Sequence, residues 1–143
     1  IDCPPSLGLL TVNALAAATE MLIPIQCEYY ALEGLSQLLE TYKIVKQRLN
    51  SDLTLSTIVL TMFDKRNNLG HQVVDEIRDH FKDKVFSAVI PRNVRLSEAP
   101  SHGVSIFGYD PKSIGALMYM ELAKEVISKT VTTEINKNSS AEI

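Results

Sequence analysis

The sequence has no tryptophan, and aromatics make up only 6% of it. It has two cysteines, Cys3 and Cys27, which form no CxxC pair. That excludes a disulfide framework and fits a reducing compartment. His71, His80 and His102 have no metal-ligand spacing with each other or with the cysteines and read as surface residues. Long apolar runs are also missing. Segments such as Met21 to Ile25 fall far short of the ~20 residues that a membrane helix needs. An excess of positive charge is absent as well, with 14 Lys plus Arg against 17 Asp plus Glu and a net charge of −3. Nucleic-acid binding would therefore need a local basic patch. None of the six glycines (8, 34, 70, 103, 108, 115) is followed by lysine. The Gly-Lys-Ser/Thr ending of a phosphate-cradling loop is thus not among these residues.

What is present is an ordinary globular composition, 45% apolar and 22% charged over 143 residues. This excludes disorder across the whole chain. Ile1-Asp2 reads as the end of a strand, and Cys3 to Gly8 as a Pro- and Gly-bearing loop. Leu9 to Ala18 reads as an Ala-rich helix and Met21 to Ile25 as a buried strand. Leu32, Leu35, Leu39, Tyr42, Val45 and Leu49 recur at spacings of three and four, which predicts a helix with one apolar stripe over 32–49. Leu53 to Met62 is β-branched and reads as a strand. Val73, Val74, Ile77 and Phe81 predict a helix over about 71–81, and Val85 to Ile90 a strand stopped by Pro91. Arg92 to Gly103 reads as a loop. Asp110-Pro111 reads as a helix start, with Ile114, Met118, Leu122 and Val126 following at steps of four. The ordered domain is placed at 1–128. The Thr-, Ser- and Asn-rich remainder, 129–143, reads as a disordered tail.

Alternation of this kind predicts an α/β fold, a parallel sheet with helices on both faces. Ligands of such sheets bind beyond the carboxyl ends of the strands. The candidate loops are therefore Asp2 to Gly8, Gln26 to Tyr30, Met62 to Gly70 and Pro91 to Pro100. A strand-end carboxylate such as Asp2 suits a hard cation, bound directly or through water.

Ile1-Asp2-Cys3-Pro4-Pro5-Ser6-Leu7-Gly8 resembles the Walker-B and switch segment of the ParA/Soj partition ATPases. The resemblance continues through Ile25 to Leu35, Leu60 to Asp64, Ile90 to Ser101 and Tyr109 to Ser113, collinear to about Val126. It implies the carboxyl-terminal part of a P-loop NTPase-type sheet. It further implies an ATPase that dimerises with ATP and Mg²⁺ bound, binds DNA without sequence preference, and is stimulated by a ParB-type centromere-binding protein. By position, Asp2 resembles the Mg²⁺-site carboxylate, and Cys3, Pro4, Pro5, Ser6 and Gly8 resemble the switch. Pro91 and Asn93 resemble the adenine contacts, since a backbone carbonyl and a side-chain amide can read its polar edge. Arg66 resembles a DNA-contacting position, and Arg95 is a second candidate. Between Asp64 and Arg95 there are seven Lys or Arg against five Asp or Glu, an excess that a dimer would double.

The chain opens on Ile1 rather than Met and lacks the Gly-Lys loop. Its expected place is therefore the carboxyl-terminal portion of a longer protein, with the isolated chain inactive toward ATP because that loop's lysines are missing. The expected localisation is cytoplasmic and nucleoid-associated. Two alternatives stand beside this reading. A MinD-like division-site ATPase would carry an amphipathic membrane helix at its end. Ser128 to Ile143 has neither a basic face nor large aromatics, so no membrane partner is expected. A non-catalytic DNA- or partner-binding module would lack the P-loop altogether.

Overall fold

The computed structural model describes residues 1–4 and 6–140, with side chains through residue 129. Its elements are α1 (Leu9–Ala17), β1 (Glu20–Gln26), α2 (Ala31–Arg48), β2 (Thr54–Phe63), α3 (Asn68–Phe81), β3 (Val85–Pro91), α4 (Val94–Glu98), α5 (Ile106–Tyr109) and α6 (Ile114–Ser140). Among the described residues the sheet has three parallel strands in the order β1-β2-β3.

Ile1-Asp2 is not part of that sheet, contrary to expectation. Two residues without a neighbouring strand make no ladder, and Ile1 is exposed. Pro5 of the predicted switch lies outside the described residues. The expected tail from 129 falls where the α6 backbone continues helical to Ser140; its side chains from 130, and residues 141–143, also lie outside the described set.

Helices cover both faces of the sheet. On one face Leu15 of α1, Leu35 and Val45 of α2, and Val73, Val74 and Ile77 of α3 pack on Met21, Ile23, Ile25, Ile58 and Leu60. On the other, α6 lays Met118, Leu122 and Val126 over Val59, Phe86 and Ile90. The stripe predicted for 32–49 is seated as expected except at Leu49, which takes the C-cap of α2 and is exposed. β1 alternates strictly, burying Met21, Ile23 and Ile25 while the opposite side chains stay exposed.

Polar side chains tie the elements at their ends. Asn50 Nδ2 donates to the Leu15 carbonyl at 3.1 Å and the Ala18 carbonyl at 2.7 Å, satisfying groups that the end of α1 leaves open. Asn67 caps α3 by accepting from Leu69 N–H, so that helix begins three residues before the predicted His71. The start of α6 also differs from expectation. Asp110-Pro111 forms a turn, and Ser113 supplies the cap, accepting from Ala116 N–H at 3.2 Å. The Asp110 carboxylate instead faces Arg95. Gly115 admits the close seat of α4 on α6: a Cβ there would meet Leu96 Cγ at 2.7 Å.

β3 is irregular. Ile58 pairs with Val85 and Leu60 with Val89, so two steps on β2 span four on β3. Such a bulge releases N–H groups from the ladder. Glu125 of α6 collects them, accepting from Ser87 and Ala88 N–H, each at 2.8 Å.

Candidate functional site at the carboxyl ends of the strands

Parallel strands deliver the loops after β1, β2 and β3 to one end of the sheet. Backbone bonds extend the ladder into those loops. Cys27 N–H donates to the Thr61 carbonyl and Arg92 N–H to the Phe63 carbonyl, both at 2.9 Å. Near the end of β2, Met62 takes φ 55°, a left-handed conformation uncommon for a side-chain-bearing residue. This strain sits two residues before Asp64, at the edge of the site.

Four charged side chains gather here. Arg92 pairs with Glu28, joining the loops after β3 and β1. Asp64 and Arg66 form a two-pronged pair within the loop after β2. Arg66 Nε donates to Asp64 Oδ1 at 3.0 Å and Nη2 to Oδ2 at 2.8 Å. Arg66 N–H also donates to Oδ1 at 3.0 Å. These bonds hold the Asp64 carboxyl well below the usual carboxylate range. Arg66 remains 83% exposed.

Arg95 is held more firmly. Its Nη1 donates to Glu98 Oε2 at 2.9 Å, and its Nε lies 3.6 Å from Asp110 Oδ2. Tyr109 OH donates to the same Glu98 oxygen at 3.1 Å, and His102 stacks on Tyr109. The Arg95 and Tyr109 hydrogen bonds lower the Glu98 pKa. Asn93 accepts from Arg95 N–H at 2.8 Å as the N-cap of α4, leaving its amide N–H groups for other work. Pro91 ends β3 opposite Phe63.

Asp2, Cys3, Pro4, Ser6 and Gly8 precede α1 and are all exposed. Gly8 is the N-cap of α1, and Thr11 Oγ1 donates to the Ser6 carbonyl at 2.6 Å, which anchors this loop to the helix. Among the described residues, no hydrogen bond or ion pair joins Asp2 to Pro91, Asn93, Arg66 or Arg95. No group of three or more His, Cys, Asp or Glu residues there could hold a metal ion. Asp2 nevertheless fits Mg²⁺ chemistry in one respect, because that ion commonly takes one or two carboxylates and completes its shell with phosphates and water. Cys27 is buried, and desolvation pushes its thiol up to about 11, so it is no nucleophile. A cavity of about 400 Å³ opens at the opposite, amino ends of the strands, between Glu20, Thr54, Asp83 and Lys84.

Residue patterns left three partners of the arginines unrecognised: Glu28, Glu98 and Asp110. Only Asp64 carried a local signal, since an Asp two residues before a backbone N–H is a common turn former.

The parallel sheet with helices on both faces is of the P-loop NTPase class. The chain superposes on cobyrinic acid a,c-diamide synthase from Mycobacterium smegmatis, solved with a bound ATP analog and magnesium. The TM-score is 0.70 and the identity 36%, over 89% of this chain and 46% of that one. The cell division ATPase MinD of Pyrococcus furiosus shares the fold, with a TM-score of 0.66 and 24% identity over 90% of this chain and 50% of that one. A sequence profile described as an AAA domain matches residues 1–55. The sporulation initiation inhibitor protein Soj of Bacillus subtilis is 64% identical over 126 residues, 88% of this chain and 50% of Soj. The chromosome partitioning protein ParA of Myxococcus xanthus is 61% identical over 129 residues, 90% of this chain and 46% of that protein. The chain belongs to the Soj/ParA family. It spans about half the length of the curated relatives it matches.

Proposed function

We propose that this chain forms the carboxyl-terminal part of a chromosome- or plasmid-partitioning ATPase. The observation that carries the reading is the 64% identity to Soj across 88% of the chain. In this reading the longer protein binds ATP and Mg²⁺, dimerises, and holds DNA without sequence preference. A ParB-type partner stimulates hydrolysis and release. Asp2 contributes the carboxylate toward Mg²⁺, and the segment from Cys3 to Gly8 responds to the nucleotide. The Pro91 carbonyl and the Asn93 amide face adenine. The solved relative with an ATP analog and magnesium supports the nucleotide part. The protein works in the cytoplasm at the nucleoid. Among the described residues no helix is long and apolar enough to cross a membrane.

Arg66 is the better DNA contact of the two arginines, because it is exposed and has one acidic partner where Arg95 has two. The test is binding of unrelated duplexes by the full-length protein with ATP, and ATP turnover with and without a ParB-type partner. Sequence-independent binding that weakens steeply with salt is expected. Full-length protein that neither turns over ATP nor binds DNA would overturn the proposal. The 143-residue chain alone is expected to show no turnover.

A further inference from the structure

The arginines on the loops leaving this end of the sheet share a feature. Arg92 is held by Glu28, Arg95 by Glu98 and Asp110, and Arg66 by Asp64. A surface of this kind attracts anions weakly, because each guanidinium already has a carboxylate. The Asp64–Arg66 pair has the geometry that a phosphodiester would take on the same guanidinium, two parallel N–H···O bonds from Nε and Nη2. From this we infer that Arg66 is an oxyanion site for a DNA phosphate, and that Asp64 occupies it as an internal stand-in until the phosphate displaces it. This rests on the reading of Arg66 as a DNA contact and adds the regulation of that contact.

Three observations single out Arg66. It is the most exposed of the three arginines, and an ion pair this exposed is weak and exchangeable. Arg95 would have to leave two carboxylates, one of them also bonded to Tyr109. Exchange at Arg66 also leaves the loop intact. Asp64 Oδ1 keeps the Arg66 backbone N–H, and Asn67 N–H keeps the Asp64 carbonyl at 3.0 Å, while the guanidinium swings away. The carboxyl is held well below its usual range, so it is charged at any working pH and the contest is between two anions.

The stand-in makes one copy a poor DNA binder and leaves useful affinity to several such exchanges acting together, as in a dimer. It also flattens the salt dependence. Arg66 neutralises a phosphate, but the freed Asp64 leaves a negative charge beside it, which offsets part of that neutralisation.

The experiment is fluorescence anisotropy with unrelated duplexes, full-length protein, ATP and a salt series. Asp64→Asn keeps an acceptor for the turn and removes the competing charge. It is expected to bind about two- to fivefold tighter, with a steeper salt dependence than the parent. Asp64→Ser, which also keeps an acceptor, should behave alike and guards against a folding defect peculiar to one variant. The gain should vanish in an Arg66→Ala background. It should shrink with Arg66→Lys, which cannot make the fork. An equal gain with and without Arg66 would reduce Asp64 to a general charge effect and overturn the inference. Weaker binding by Asp64→Asn would make Asp64 an orienting partner and overturn the inference while leaving the DNA reading standing. If Arg66→Ala alone binds as tightly as the parent, the reading of Arg66 as a DNA contact fails and the inference falls with it.

Discussion

Replacing Glu125 by alanine removes the side chain that accepts from the N–H groups at the bulge of β3. Its two carboxylate oxygens take Ser87 and Ala88 N–H at 2.8 Å each. A hydrogen bond to a charged group contributes about 1.5–3 kcal/mol, and an orphaned buried N–H costs about 1–3 kcal/mol. Ser87 is exposed, so water can replace its partner. Ala88 is buried, so its N–H cannot be rehydrated without opening the α6 contact. The expected cost is therefore about 2–3 kcal/mol, nearer one full charged bond than two. With an m-value of about 2 kcal/mol/M, the urea midpoint should fall by about 1–1.5 M at unchanged m. Glu125→Gln, which retains a single acceptor, should lose about half as much. The assay is urea unfolding followed by far-UV circular dichroism, paired with hydrogen exchange at Ser87 and Ala88. The two amides should lose protection in the alanine variant ahead of their neighbours. A loss below about 0.5 kcal/mol, with both amides still protected, would refute the view that the carboxylate satisfies the bulge.

Asn50→Ala strips two donors from the carbonyls ending α1 and should destabilise by about 1–2 kcal/mol in the same unfolding assay. Lys82 follows α3 at φ 47° and is exposed, so Lys82→Gly should raise stability by about 1 kcal/mol; a loss would show that the strain is not relieved there. Glu98 has its pKa lowered by the Arg95 and Tyr109 hydrogen bonds. Its contribution is complete above the unfolded value of about 4.3 and is lost as pH falls through the lower folded value. Stability of the parent should therefore drop on acidification below about pH 4, and Glu98→Gln should flatten that part of a stability-against-pH curve.

Local order was legible from spacing alone. The stripe through Leu35 and Val45 and the pattern through Val73, Val74 and Ile77 both fall on buried helix faces as read. The alternation of strands and helices sufficed for a parallel sheet covered on both faces. Legibility failed where a local preference met a competing partner. Asp110 is a good cap residue before a proline, but its carboxylate faces Arg95, and Ser113 caps α6 in its place. Ile1-Asp2 has strand character but no neighbouring strand to pair with among the described residues.

The sequence by itself determined the element order, the apolar faces and the loops gathered at one end of the sheet. Runs such as Ile90 to Ser101 also carried the family resemblance, because periodicity and motif are properties of neighbours along the chain. Only the tertiary structure decided which charge answers which. Glu28 meets Arg92 across 64 positions, and Glu125 meets Ser87 across 38. Such pairs depend on the crossovers, on the register of β3 and on where α6 lies across the sheet. The same packing leaves Arg66 exposed with one exchangeable carboxylate and binds Arg95 between two.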